Sequence, residues 1–203
     1  MEAKNYKLSF TAASLSITES IKIAEVFLSC NDWEETKRIV EENNLLQSRT
    51  NSRTVRTYRE LAQRLQLLSN DQLELLVEGN LQESKFLLWF AVCKSYKFIK
   101  EFAIEVIHEK FLSMDYKLTE LDYDAFFNRK ADWHEELDQI TDSTKDKLKQ
   151  VVFRMLRESG IASEDNMIIQ AMFSQRLIQL LITDAPISYQ IFPLDMPLSL
   201  IHI

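Results

Sequence analysis

Two short stretches of this 203-residue chain concentrate side chains that bind phosphate. Residues 47–66 carry Arg49, Arg53, Arg56, Arg59 and Arg64 against the single acid Glu60. Residues 143–157 carry Lys145, Lys147, Lys149, Arg154 and Arg157 against Asp146. A guanidinium donates paired hydrogen bonds to a phosphate or to the edge of a guanine, and an ammonium adds a compact positive charge. Each stretch is preceded by hydroxyls, Ser48, Thr50 and Ser52 in the first and Thr141, Ser143 and Thr144 in the second. Short hydroxyls and helix N-termini both donate to phosphate oxygens. The candidate DNA-contacting residues are therefore Arg49, Ser52, Arg53, Arg56, Arg59 and Arg64, with Lys145, Lys147, Gln150, Arg154 and Arg157. For either stretch alone, a solvated amphipathic face is the competing explanation.

Catalytic patterns are weaker. His134-Glu135-Glu136-Leu137-Asp138 approaches the HExxH zinc helix but has aspartate where the second histidine belongs. His108 stands on an apolar segment, and His202 is near the C-terminus. Nine acids against three bases in residues 115–142 could gather a divalent cation for nuclease chemistry. No acid pair is followed by a strand-borne Glu-x-Lys, so a solvated acidic surface, or one that docks a basic protein, is the expectation. No cofactor or metal is expected.

Helices must position the basic residues. At about 100° per residue, Val55, Tyr58, Leu61, Ala62 and Leu65 share one face, with Arg53, Arg56 and Arg64 opposite and Arg59 at the flank. In the second stretch Leu148, Val151, Val152 and Met155 form the inward face and Lys147, Gln150, Arg154 and Arg157 lie opposite. Other helices are expected from Thr18, from the N-cap Asp32, from Ser52, and from Ser69 to a left-handed stop at Gly79. More follow from the capping box Asn80/Glu83, over Tyr96–Leu112, from Thr119, over Trp133–Ile140, and over Ile168–Ile182. Phe98, Phe102 and Phe126 read as core. The segment from Ala185 onward reads as extended.

Composition agrees with an all-α globular protein. There are only 2 Gly and 3 Pro, and all three prolines fall at or after Pro186. Hairpins, phosphate loops and nucleophile elbows need glycine at positive φ, so this chain is poorly supplied for them. The net charge of -7 counts against nucleic acid on average, but it is segregated. Cys30 and Cys93 read as free thiols. The opening residues lack the apolar stretch of a signal peptide, and the run Phe86–Cys93 is far short of the roughly 20 residues of a membrane span. A cytoplasmic protein is expected, with a helical unit in 1–70, a second in 71–203, and a helix-turn-helix-like arrangement in each.

Several strings, in order, resemble a known family: Tyr6-Lys7-Leu8-Ser9-Phe10-Thr11, Trp33 followed by Asn43-Asn44-Leu45-Leu46-Gln47-Ser48-Arg49-Thr50, Arg64-Leu65, Phe98-Ile99-Lys100-Glu101-Phe102, Ile140-Thr141-Asp142-Ser143-Thr144, and Val152 through Gly160. Together they are similar to the BREX core protein A (BrxA) family of bacterial phage-exclusion systems. The resemblance implies a small helical, non-catalytic protein, like helix-turn-helix nucleic-acid binders, that acts beside a methyltransferase, ATPases and other BREX components. Double-stranded DNA is then the expected partner, with other BREX proteins as further candidates. The alternative is an adaptor that holds other BREX subunits through the acidic segment and the apolar residues Ile191, Phe192, Leu194, Leu198 and Leu200.

Overall fold

The computed structural model describes residues 5–182 and 187–194. Those residues form an all-α fold. After a 3-10 turn (Ser9–Ala12) come α1 (Ile17–Cys30), α2 (Trp33–Glu42), α3 (Asn51–Leu65), α4 (Asn70–Glu78) and α5 (Leu81–Ser95). Next are α6 (Lys97–Phe102), a π-helical stretch (Ala103–His108), α7 (Glu109–Leu112), α8 (Glu120–Ala131), α9 (Glu135–Asp138), α10 (Asp142–Glu158), α11 (Gln175–Ile182) and α12 (Ile187–Gln190). No helix among the described residues is long and apolar enough to cross a membrane.

Side-chain caps set many of the boundaries. Asp32 accepts from the Glu34 and Glu35 amides. Ser69 with Gln72, Asn80 with Glu83, and Thr119 with Asp122 form reciprocal capping boxes. Thr141 caps α10. The cap of α3 is Thr50, not Ser52, which lies inside the first turn. Gly160 ends α10 at φ +77. Gly79 ends α4 differently: its backbone is extended rather than left-handed, and a Cβ there would meet the Leu75 carbonyl oxygen at 2.4 Å. Close approach, not positive φ, makes this position a glycine.

The most apolar segment becomes the centre. α5 buries Ser84 and everything from Phe86 to Cys93, and it packs against α1, α3, α4 and α6. A helix apolar on all sides is stable only when enclosed. One core runs through α1, α3, α4 and α5, continuous across residues 70 and 71. Phe98, Phe102 and Phe126 are in it, the last ring 5.2 Å from each of the other two. Both cysteines are free, and burial pushes the Cys93 thiol well above its ordinary value.

Two terminal expectations need correction. Residues 168–174 are not helical, because the Ile168 and Ile169 amides donate to the Tyr116 and Ile161 carbonyls beside two antiparallel bridges. The helix there is only Gln175–Ile182. The described part of the tail is a helical turn followed by core residues: Ile191, Phe192 and Leu194 are buried. Trp89 Nε1 donates to the Ile191 carbonyl at 2.9 Å. Those three residues therefore present no adaptor surface. Leu198 and Leu200 lie outside the described residues.

The N-terminal segment straps distant helices together. Tyr6 N donates to Glu136 at 2.5 Å, and its hydroxyl donates to Glu101. Leu15 N donates to Glu158 at the end of α10 at 2.8 Å. The Ala13 and Ser14 carbonyls accept from Arg64 of α3 at 2.8 and 2.5 Å. Arg64 is 3% exposed, paired with Glu60 at 2.7 Å, and stacked 5.6 Å over the Tyr96 ring, whose hydroxyl donates to Glu60. Burial and the Glu60 carboxylate push the Tyr96 hydroxyl up to about 12, so it stays a neutral donor.

Replacing Arg64 by alanine leaves Glu60 charged and buried without a cation. The expected loss is about 3–5 kcal/mol of unfolding free energy, read from urea denaturation. Acid should weaken the same strap. Burial pushes the Glu101 carboxyl up, but Lys130 and Tyr6 outweigh it and hold it below its ordinary value. Burial pushes Glu136 up as well, but the Tyr6 amide, its own amide and His134 together outweigh it and hold the carboxyl below its ordinary value. A carboxyl lowered in the folded state stabilises above its unfolded pKa, and that stability is lost as pH falls through the folded one. Melting temperature should thus drop as pH falls below about 4, and Glu101→Gln should make the drop shallower.

Candidate nucleic-acid interface

The two basic stretches meet at one concavity of about 800 Å³. From the first come Arg49 in the connecting turn and Arg53, Arg56 and Thr57 on α3. From α10 come Lys147, Val151 and Arg154. The third contribution is the strap and the start of α1: Thr11, Ser14, Ser16, Thr18, Glu19 and Lys22. The 3-10 turn packs on both α3 and α10, so the strap sets the spacing of the two cationic helices.

The electrostatics are one-sided. Arg49, Arg53, Arg56, Lys147 and Arg154 are exposed, and none makes an ion pair among the described residues. Lys22 lies beside them and donates to the Leu45 carbonyl. Glu19 is the sole acid among the described lining residues. Each cation contributes a full charge without a carboxylate to neutralise it, and the hydroxyls supply neutral donors between them. None of the described lining residues is aromatic.

The far flank of α10 is different. A second concavity of about 460 Å³ is lined by Lys149, Gln150, Arg154 and Arg157 together with Glu120, Asp146 and Asn166. Here Lys149 Nζ lies 3.1 Å from Glu120 and 3.4 Å from Asp124. Desolvation pulls its pKa down, but those carboxylates outweigh it and hold the ammonium protonated. Arg157 donates to Asn166 Oδ1 at 3.0 Å and pairs with Glu164 at 3.6 Å. The acidic stretch thus resolves largely into internal partners: Asp115 and Asp122 pair with Lys110, and Glu120 and Asp124 with Lys149. His134, from the near-miss zinc pattern, is buried, packs tilted against the Tyr6 ring with centroids 4.1 Å apart, and sits 3.1 Å from Glu136.

Of the residues expected from sequence, Arg49, Arg53, Arg56, Lys147 and Arg154 gather at the first concavity. Ser52 and Arg59 are exposed outside it. Lys145 donates to Asn128 at 2.8 Å and lies 4.8 Å over the Phe127 ring. Gln150 and Arg157 face the second concavity. Arg64 is a correction: it is buried, because the strap covers the C-terminal half of α3 on a second side. A helical wheel records one helix's own period and not what crosses its outer face. Sequence reasoning missed Lys22 and the strap hydroxyls. The only local signal for the latter is the density of Ser and Thr in residues 11–18.

Comparisons with known proteins point to one family. The family model described as BrxA matches residues 4–184. The chain is 28% identical over 155 residues to a protein named BREX protein BrxA from Bacillus cereus (strain H3081.97), covering 76% of this chain and 78% of that one. Its fold is similar to the crystal structure of an uncharacterized protein from Magnetospirillum magneticum, with a TM-score of 0.77 and 20% identity, over 93% of this chain and 99% of that one.

The contrast between the flanks of α10 is measurable on immobilised heparin. Arg53→Gln, Arg56→Gln and Lys147→Gln should each elute at lower salt than the parent. Lys149→Gln and Arg157→Gln, which remove cations already neutralised, should elute close to it.

Proposed function

The chain belongs to the BrxA family and takes part in BREX phage defence, and from that premise we propose that it is a non-catalytic component that binds the phosphate backbone of double-stranded DNA. The observation that carries this reading is the convergence of two basic helices, far apart in sequence, on one cleft whose exposed arginines and lysine lack carboxylate partners among the described residues. A polyanion is the natural ligand for such a surface. The lining also favours duplex over single strand. Proteins that hold single strands stack the bases on aromatic side chains, and none of the described lining residues offers one.

The role divides between the two helices and the strap. Arg53 and Arg56 on α3, with Arg49 before it, engage phosphates from one side, and Lys147 and Arg154 on α10 engage them from the other. The hydroxyls of Thr11, Ser14 and Thr18 donate between them. The net charge of -7 does not oppose this. Charges more than about 8 Å apart across solvent are screened at physiological salt, so a phosphate inside the cleft responds to its neighbours more than to the molecular total.

Mobility-shift titration of duplex DNA at two salt concentrations tests the reading. With about six phosphates neutralised, affinity should fall about a thousandfold between 50 and 200 mM salt. The combined variant Arg53→Glu, Arg56→Glu, Lys147→Glu should abolish the shift at low salt. A parent protein that gives no shift at low salt, or a variant that shifts like the parent, overturns the proposal.

A further inference from the structure

The turn that delivers Arg49 to the cleft is built in an unusual way. α2 ends at Glu42 and α3 begins at Asn51, and the connection carries two non-glycine residues in the left-handed region, Asn44 at φ +44 and Gln47 at φ +50. Asparagine tolerates that region because its carboxamide can bond to nearby backbone. A glutamine there is uncommon and persists where its surroundings over-determine it.

The surroundings are specific. Asn44 Oδ1 accepts from the Ser48 amide at 3.1 Å, and Asn44 Nδ2 donates to the Ser48 carbonyl at 3.2 Å. The Asn44 carbonyl also accepts from the Gln47 amide at 2.9 Å. One side chain thus satisfies both main-chain polar groups of Ser48 and closes residues 44–48 into a ring. The buried Leu46 anchors that ring in the core, and Lys22 holds the Leu45 carbonyl. Leu45 to Ser48 of the ring, and Arg49 just beyond it, line the cleft, whereas Asn44 does not.

We infer that Asn44 is a positioning residue for the proposed DNA site: its carboxamide clamps the Ser48 backbone and thereby aims Arg49 into the cleft. The inference rests on the duplex-binding reading above. The Arg49 side chain is exposed and makes no ion pair or hydrogen bond among the described residues, so only the backbone beneath it sets its direction. An unclamped turn would let Arg49 point elsewhere and would have to be ordered on binding, at an entropic cost.

The test is a double-mutant cycle on the full chain, with Kd for a duplex read by fluorescence anisotropy across a salt series and melting temperature read in parallel. Asn44→Gly removes the clamp but accepts the left-handed backbone, so the fold should melt close to the parent. Its affinity should fall about tenfold, the loss of one charge-assisted contact. Its slope of log affinity against log salt should flatten by about 0.9, one phosphate fewer. Arg49→Gln should do the same, and adding Asn44→Gly to Arg49→Gln should change little more, because both remove one contact. Parental binding by Asn44→Gly at every salt, or losses that simply add in the double variant, overturns the inference while leaving duplex binding intact. A loss with an unchanged salt slope also overturns it, since that marks a general weakening of the fold. A parent chain that fails to bind duplex at low salt overturns the function and this inference with it.

Discussion

The cleft depends on one buried ion pair. Arg64 and Glu60 lie a helical turn apart on α3, both nearly inaccessible to water, and the guanidinium uses its remaining donors on the Ala13 and Ser14 carbonyls. A buried pair is costly to desolvate and is retained where its geometry satisfies each partner fully. Here the carboxylate takes the guanidinium and the Tyr96 hydroxyl, and the guanidinium takes the carboxylate and two carbonyls. The consequence is longer in reach than the pair itself. The strap is fixed to α3, and one residue further on its Leu15 amide is fixed to Glu158 of α10. Two helices whose sequences are separated by about eighty residues are thereby held at a set distance.

Charge is sorted by the same construction. Among the described residues, arginines and lysines that line the cleft are left without carboxylate partners, while those on the outer flank of α10 are neutralised by the acids of α8 and of the loop after Gly160. The acidic block and the basic stretches are therefore not two independent surfaces. Much of the acid serves internal work: Asp122 caps α8, Glu120 and Asp124 draw Lys149 aside, and Glu136 receives the strap. What remains exposed and unpaired at the junction of α3, α10 and the strap is cationic.

The sequence by itself determined that the chain is helical, where many of its helices start, and which segment is innermost. Asp32, Ser69, Asn80, Thr119 and Thr141 cap helices through bonds that span two or three residues, so their effect is local and legible. Phe86–Cys93 could only be enclosed. Four cleft cations, Arg53, Arg56, Lys147 and Arg154, followed from helical periodicity for the same reason, and Arg49 followed from its place in the basic stretch before α3. Tertiary structure decided everything that needed a second segment. It buried Arg64 under the strap, turned Ile168 and Ile169 out of a helix by giving their amides other carbonyls, drew Ile191–Leu194 into the core, and set Arg157 against Asn166 and Glu164 rather than toward the cleft. Above all it brought α3 and α10 to one cavity. Periodicity fixes which side of a helix faces inward, because that depends on the residues of the helix alone. Which other segment crosses that helix depends on long-range packing, and no local spacing encodes it.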